Sequence, residues 1–311
     1  MSTPEISRIL PLVATAAFGA MTATVIGAPN DSSINFDFSA GILALQEDSE
    51  AATPDLADLE NDSPAALSSA EDELAKKTQN PVADLISIPF QNNFTFPTGP
   101  NDGVMYVLNI QPVIPISISE DWNLITRTIL PVIHQPALAS GLSSDNGLGD
   151  LQFTGFLSPS ESTGFTWGVG PVLRFPTATR NTLGSEKWSA GPSFVGLISK
   201  GPWVIGGLAQ NLWSYAGNSD RQKVNQFLLQ PFLNYNLPDG WYLTTSPVMT
   251  ADWNRSNQKW TVPLGGGIGK ITRIGKLPVN IQLQTYYNAV KPDAVGDWTI
   301  RFQVQLLFPK L

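Results

Sequence analysis

Cysteine is absent from this chain of 311 residues, histidine occurs once, and charged side chains make up only 14% of it. Without a thiol there is no disulfide framework and no zinc–thiolate centre, and one imidazole is too few for a transition-metal site, so no cofactor is expected. An average globular domain carries about 25% charged residues, so this chain is poor in the groups that usually cover a wetted surface. Beyond the amino-terminal region there is no run of ~20 apolar residues, which excludes a transmembrane helix from the body of the chain. Basic runs and nucleic-acid reading motifs are also missing, and nucleic acid is excluded as a partner. The glycine-rich stretch at 265–269 lacks the Lys-Ser/Thr ending and the strand-to-helix context of a phosphate loop.

What is present divides unevenly. Residues 1–75 hold one base, Arg8, against thirteen acids, a balance of −12, while residues 76–311 hold seventeen bases against thirteen acids, a balance of +4. Residues 1–28 read as a signal peptide, because Arg8 precedes an apolar, small-residue stretch from Ile9 to Met21. Residues 29–79 read as a flexible acidic periplasmic segment. No Lys or Arg occurs between Asp31 and Glu73, and such a composition buries too little apolar area to offset chain entropy. A short helix is expected within 64–77, and the segment serves as a linker, as a plug entering a lumen, or as a tether to a periplasmic partner.

Residues 80–311 alternate apolar and polar side chains in about twelve strand-length segments. Phe227, Leu229, Leu233 and Tyr235 share one face against Gln226, Gln230 and Asn234, with Leu228 and Phe232 breaking the pattern. Ile281, Leu283 and Tyr287 oppose Asn280, Gln282 and Gln284, and Ile300, Phe302 and Val304 oppose Arg301, Gln303 and Gln305. Ile114 and Ile116 are set against Asn109 and Gln111 in the same way. A period of two with uncharged amides on the minor face suits strands between hydrocarbon and a wet lumen. In 203–213 neither phase is clean: one turns Asn211 outward and the other buries two tryptophans.

Short connections (Ser119–Asp121, Ser158–Thr163, Lys200–Pro202, Leu237–Gly240, Thr272–Lys276) alternate with longer ones (Thr98–Met105, His134–Gly147, Thr177–Lys187, Ala216–Val224, Asp252–Lys259, Ala289–Asp297). Trp122, Trp167, Trp203 and Trp241 fall near the short turns, and Trp188, Trp213, Trp253, Trp260 and Trp298 near the long loops. Indoles settle at headgroup depth, so two girdles are expected. The fold class that follows is all-β: a closed antiparallel transmembrane β-barrel of about twelve strands in the outer membrane. Lipid offers a bare backbone no hydrogen-bond partner, so strands cross it only in a closed ring.

Arg127, Arg174 and Arg301 fall on the polar faces. Each either forms a salt bridge that stiffens the barrel, with Asp150 as a partner, or lines a path and favours anions. Asp150, Gln226, Gln230, Asn280, Gln282, Gln284 and Gln303 complete the expected lumen lining. Asp145 and Asp150 bracket a Gly-Leu-Gly turn, which fits turn formation better than a calcium site. His134, at the edge of a long loop, has no accompanying nucleophile motif, so catalytic residues are not expected.

The stretches 80–93 (NPVADLISIPFQNN), 111–115 (QPVIP), 147–152 (GLGDLQ), 187–192 (KWSAGP) and 230–236 (QPFLNYN) together resemble the bacterial outer-membrane meta-pathway phenol degradation family. Its members are also called transporters, and some carry the label neuromedin U. The resemblance spans about 75–311 and implies a β-barrel with a role in uptake of organic compounds; it supplies no catalytic residues. The expected function is a passive, narrow channel or transporter for small organic solutes. Its partners are outer-membrane lipid, the barrel-assembly machinery and the solute. The rivals are a structural envelope barrel tethered through the acidic segment and an outer-membrane hydrolase. None of these patterns encodes the oligomeric state.

Overall fold

The computed structural model describes residues 74, 78–80, 82–83, 85–161 and 164–308; the expected signal peptide and almost all of the acidic segment lie outside the described residues. The strands are β1 (Ile86–Thr98), β2 (Gly103–Ile110), β3 (Val113–Ser117), β4 (Trp122–Gln135) and β5 (Asp145–Leu148). They continue with β6 (Leu151–Pro159), β7 (Thr166–Phe175), β8 (Lys187–Lys200), β9 (Trp203–Gly217) and β10 (Asn225–Asn236). The chain ends with β11 (Trp241–Thr245), β12 (Met249–Asp252), β13 (Trp260–Ile274), β14 (Leu277–Val290) and β15 (Trp298–Phe308). Three pairs, β2/β3, β5/β6 and β11/β12, lie end to end against shared neighbours, so the fifteen segments form twelve antiparallel staves. The last pairs with the first from Ile86↔Phe308 to Phe96↔Trp298, and the sheet is closed.

One end of the barrel carries the turns 118–121, 160–165, 201–202, 237–240 and 275–276. The two tightest, both two-residue links, depend on Gly201 and Gly275, which take φ +59° and +63°. The other end carries 136–144, 176–186, 218–224, 253–259 and 291–297. The connection after β1 departs from the expected alternation: it is only 99–102, because both strands run on and a register shift between Thr95 and Thr98 tightens the hairpin.

The two faces are inverted relative to a soluble protein. Gln282 and Gln303 are 3% and 1% exposed, whereas Leu283 and Phe302 are 51% and 39% exposed. Ile114, Ile116, Tyr287 and Ile300 also lie on the outside. On β9, Val204, Leu208 and Leu212 point inward and Trp203, Ile205 and Trp213 outward. Asn211 therefore does face out, where its amide bonds Asn225 Oδ1 (3.2 Å) and its carbonyl accepts from Trp253 Nε1 (3.0 Å). Pairing these groups meets the cost that a polar side chain would otherwise incur there.

The interior has two unlike sides. Phe156, Val195, Leu197, Val204, Leu208, Leu228 and Phe232, on β6 and β8–β10, belong to one apolar cluster. Leu228 and Phe232, which break the alternation of β10, do so because they help build this wall. The amide-rich wall runs from β14 through β15 and β1 to Asn109 on β2, whose inward Met105 and Val107 join the apolar cluster, and Tyr242 and Tyr286 lie fully buried at its edge. Glycine makes room for both rings: a Cβ on Gly265 would sit 2.5 Å from Tyr286 Cδ1, and one on Gly269 would sit 2.2 Å from Tyr242 Cζ. Gly269→Ala is accordingly expected to cost about 1–3 kcal/mol by denaturant titration of the folded barrel. Tyr242→Ala in the same chain should recover part of that loss, and strictly additive effects would contradict the packing.

Candidate functional site

The lumen is the candidate site, and its polar wall is built by register. Gln282, Gln303, Gln91 and Asn109 fall in one row across β14, β15, β1 and β2, so four inward amides meet side by side. Gln91 Nε2 donates to Gln303 Oε1 (3.4 Å), and Asn109 Nδ2 donates to Gln91 Oε1 (3.4 Å). The next row toward the long-loop end is Gln284, Arg301 and Asn93. One row the other way, Asn280 accepts from Tyr242 Oη (2.5 Å) and donates to Gln305 Oε1 (3.1 Å). Each is a consequence of period-two alternation on adjacent strands.

Arg301 lies at the centre of a network that crosses the lumen. Its Nε donates to Asn93 Oδ1 (3.1 Å), and its Nη1 donates to Ser246 O (3.2 Å), Gln284 Oε1 (3.2 Å) and Tyr286 Oη (3.3 Å). Its guanidinium carbon is 4.7 Å from the Tyr286 ring centroid. Ser246 reaches this position because Ser246–Val248 interrupts the ninth stave. The register is the same on either side, Leu233↔Thr245 and Leu229↔Met249, so the interruption arches into the lumen without shifting the ladder. Tyr286 Oη accepts from Ser246 N (3.2 Å) and donates to Gln284 Oε1 (2.7 Å), locking the arch to β14.

Arg174 spans a second chord. From β7 it donates through Nη1 to Gln226 Oε1 (2.9 Å) on β10, past β8 and β9, and through Nη2 to Gln152 Oε1 (3.2 Å). Arg127 on β4 donates through Nη2 to Gln111 Oε1 (2.6 Å). For Arg127 and Arg301 the expected salt bridge is not formed: among the described residues amides, not carboxylates, hold them. The strands explain this, since the only acids within the fifteen segments are Asp145 and Asp252, both at the long-loop end. Gln230 is buried on the inner face, and among the described residues neither of its amide atoms has a partner.

Asp150 also departs from its expected role as an arginine partner. It lies between β5 and β6 and holds the loop after β7, accepting from Ala178 N (3.2 Å), Ser185 N (2.7 Å) and Ser185 Oγ (2.7 Å). Asp145 Oδ2 accepts from Thr182 Oγ1 (2.6 Å) in the same loop. Thus tied, the loop turns inward, and Leu183 joins the buried apolar cluster. Sequence gives no hint of this beyond the two aspartates.

At the short-turn end the chain ahead of β1 enters the barrel. Val82 packs in the apolar cluster, over the space that a side chain at Gly168 would fill. Gln79, fully buried, exchanges amide bonds with Asn236 (2.7 and 3.2 Å). Leu74 packs with Tyr242, Ile271 and Leu307. The expected boundary at residue 80 therefore falls within a segment seated against the inner wall.

Tryptophans occupy the outer face at both ends. Trp122 and Trp167 meet edge to face at 6.0 Å, Trp203 lies 4.6 Å from Tyr235, and Lys270 Nζ stands 4.7 Å over Trp241. At the long-loop end Trp188 pairs with Phe175, Trp253 with Trp260, and Trp298 with Tyr287, while Trp213 lies exposed on β9. His134, on the outward-facing side of β4, bonds Asn146 Oδ1 through Nδ1 (2.7 Å) and lies opposite Tyr106 on β2. Among the described residues no cluster of acids and histidine is arranged to hold a metal.

No family model and no curated protein matches this chain. Solved structures do. An outer-membrane channel from Pseudomonas putida F1 is similar over 72% of this chain and 94% of its own, at 15% identity and a TM-score of 0.55. The NanC porin is similar over 72% of this chain and 100% of its own, at 9% identity and a TM-score of 0.47. Outer-membrane phospholipase A from Escherichia coli covers 72% and 90%, at 12% identity and a TM-score of 0.39. The first of these shows the shared fold.

Proposed function

We propose that this protein is a passive channel in the outer membrane for small organic solutes and performs no covalent chemistry. One observation carries the reading: a closed sheet with an oily exterior and an interior wall of amides and arginines. An apolar exterior is what hydrocarbon requires. A polar interior is not required for stability, because buried ions and amides are often replaceable by well-packed apolar groups at no loss. Retaining them serves water and solute. A twelve-stranded barrel is intermediate between filled eight-stranded barrels and open porins of 16–18 strands, and the chords from Arg301 and Arg174 narrow it further.

The phenol-degradation family resemblance points to the same solute class, and the assembly machinery and lipid follow as partners of any such barrel. A second reading, a structural barrel that tethers a periplasmic partner through the acidic segment, is favoured by those same cross-lumen bonds. Planar-bilayer reconstitution decides between them. Discrete conductance steps smaller than those of a general porin are expected, with flux of a small organic solute. A folded, heat-modifiable sample that passes neither ions nor solute would reject the channel and leave the tethering barrel.

A further inference from the structure

The outer face is not uniform around the ring. At the long-loop end Trp188, Trp213, Trp253, Trp260 and Trp298 lie on or beside the staves from β8 round to β15. No tryptophan stands at this end on β1 to β7. In that sector the outward positions of four neighbouring strands carry polar groups instead. Asn92 Oδ1 on β1 accepts from Tyr106 Oη on β2 (2.8 Å). Tyr106 stands opposite His134 on β4, and His134 opposite Asn146 on β5.

The connection from β4 to β5 is unusual in the same sense. Residues 136–144 contain no charged side chain, whereas each of the other five connections at this end carries at least one. Its tip, Ser140–Ser144, is exposed throughout, with Leu142 at 37%. A loop in water is ordinarily covered with charge, and a headgroup boundary favours indoles. Missing both, this sector has the composition of a surface that meets protein, where charge is depleted and neutral polar and aromatic groups remain.

The chemistry selects the partner. His134 Nδ1 donates to Asn146 Oδ1, which leaves Nε2 of the uncharged ring as an acceptor and Asn146 Nδ2 as a donor. Neither atom makes a hydrogen bond among the described residues. The two residues stand side by side on adjacent strands. Rotation by 180° about an axis along the membrane normal, passing between β4 and β5, sets each His134 against the other copy's Asn146. An isologous contact requires this self-complementarity. The same axis brings the two uncharged loops together without like-charge repulsion.

We propose that two copies of this chain associate in the outer membrane through the β4–β5 hairpin, with His134 and Asn146 paired reciprocally across a two-fold axis and the loops 136–144 in contact above it. The interface stands whether or not the lumen conducts.

The absence of cysteine gives a direct test, because Leu142→Cys supplies one thiol per chain. In the full chain folded into lipid vesicles, oxidation by copper–phenanthroline in air should convert most of it to a disulfide-linked dimer. Ser256→Cys, exposed in the connection on the far side of the ring, should not cross-link. Labelled with a dye, that second variant should bleach in two steps per particle in sparsely loaded vesicles. Asn146→Ala removes both reciprocal bonds and should weaken association by about 10- to 100-fold. Leu142→Glu sets two carboxylates beside the axis and should weaken it without touching a strand. Both positions are exposed, so heat-modifiable mobility should be kept. Single bleaching steps would mean that lipid covers this face and would overturn the dimer. Equal cross-linking of Leu142→Cys and Ser256→Cys, or unchanged association in both weakening variants, would overturn its assignment to the β4–β5 hairpin.

Discussion

Leu283→Arg is expected to lower the stability of the folded barrel by about 2–4 kcal/mol, the cost of a cation at mid-bilayer on a lipid-facing strand position. Leu283 lies midway along β14 with its side chain on the outer face, half exposed. On a soluble protein the same change would be neutral or would improve solubility, because an exposed leucine makes few contacts and arginine hydrates well. The magnitude and sign together therefore test what surrounds the barrel. Folding into lipid vesicles, followed by heat-modifiable gel mobility across a urea series, supplies the measurement. A midpoint unchanged from the parent chain would mean that this face does not meet hydrocarbon.

The paired change Gln79→Ala/Val82→Ala is expected to raise conductance severalfold in planar bilayers. Gln79 is held by a reciprocal amide pair with Asn236, and Val82 is seated in the apolar cluster beside Gly168 and Phe156. Each lost hydrogen bond removes about 0.5–1.5 kcal/mol, and the shortened valine removes about 1 kcal/mol of apolar burial. A total of roughly 2–4 kcal/mol would shift the balance between the seated and withdrawn segment by about 30- to 1,000-fold (RT ln 10 is about 1.4 kcal/mol). The barrel itself should keep its stability, since no strand-to-strand bond is touched. If single-channel conductance and open probability equal those of the parent, the segment does not govern the path.

These two tests address different levels of information. The outward position of Leu283 was legible from one strand alone, because alternation is a local property: successive side chains point to opposite sides whatever the rest of the chain does. The same reasoning separated Ile300 and Phe302 from Arg301 and Gln303, placed the tryptophans at strand ends, and implied an even number of staves. It worked less well where a strand meets something other than lipid and water. Leu228 and Phe232 depart from the pattern of β10 because one side of the lumen is apolar. The phase of β9 is set by a tertiary contact, the bonds of Asn211 to Asn225 and Trp253 on the outside.

Which side chains face in, which face out and how often the chain turns back depend on residues two to ten apart, and so are written along the chain. What the inward groups meet depends on the closed sheet. Arg301 finds Ser246, 55 residues earlier, and Asp150 finds Ser185, 35 residues later, in place of the arginine expected for it. Closing the ring sets those encounters: it fixes the stagger of every stave against the next, and so the height at which side chains from distant strands share the lumen.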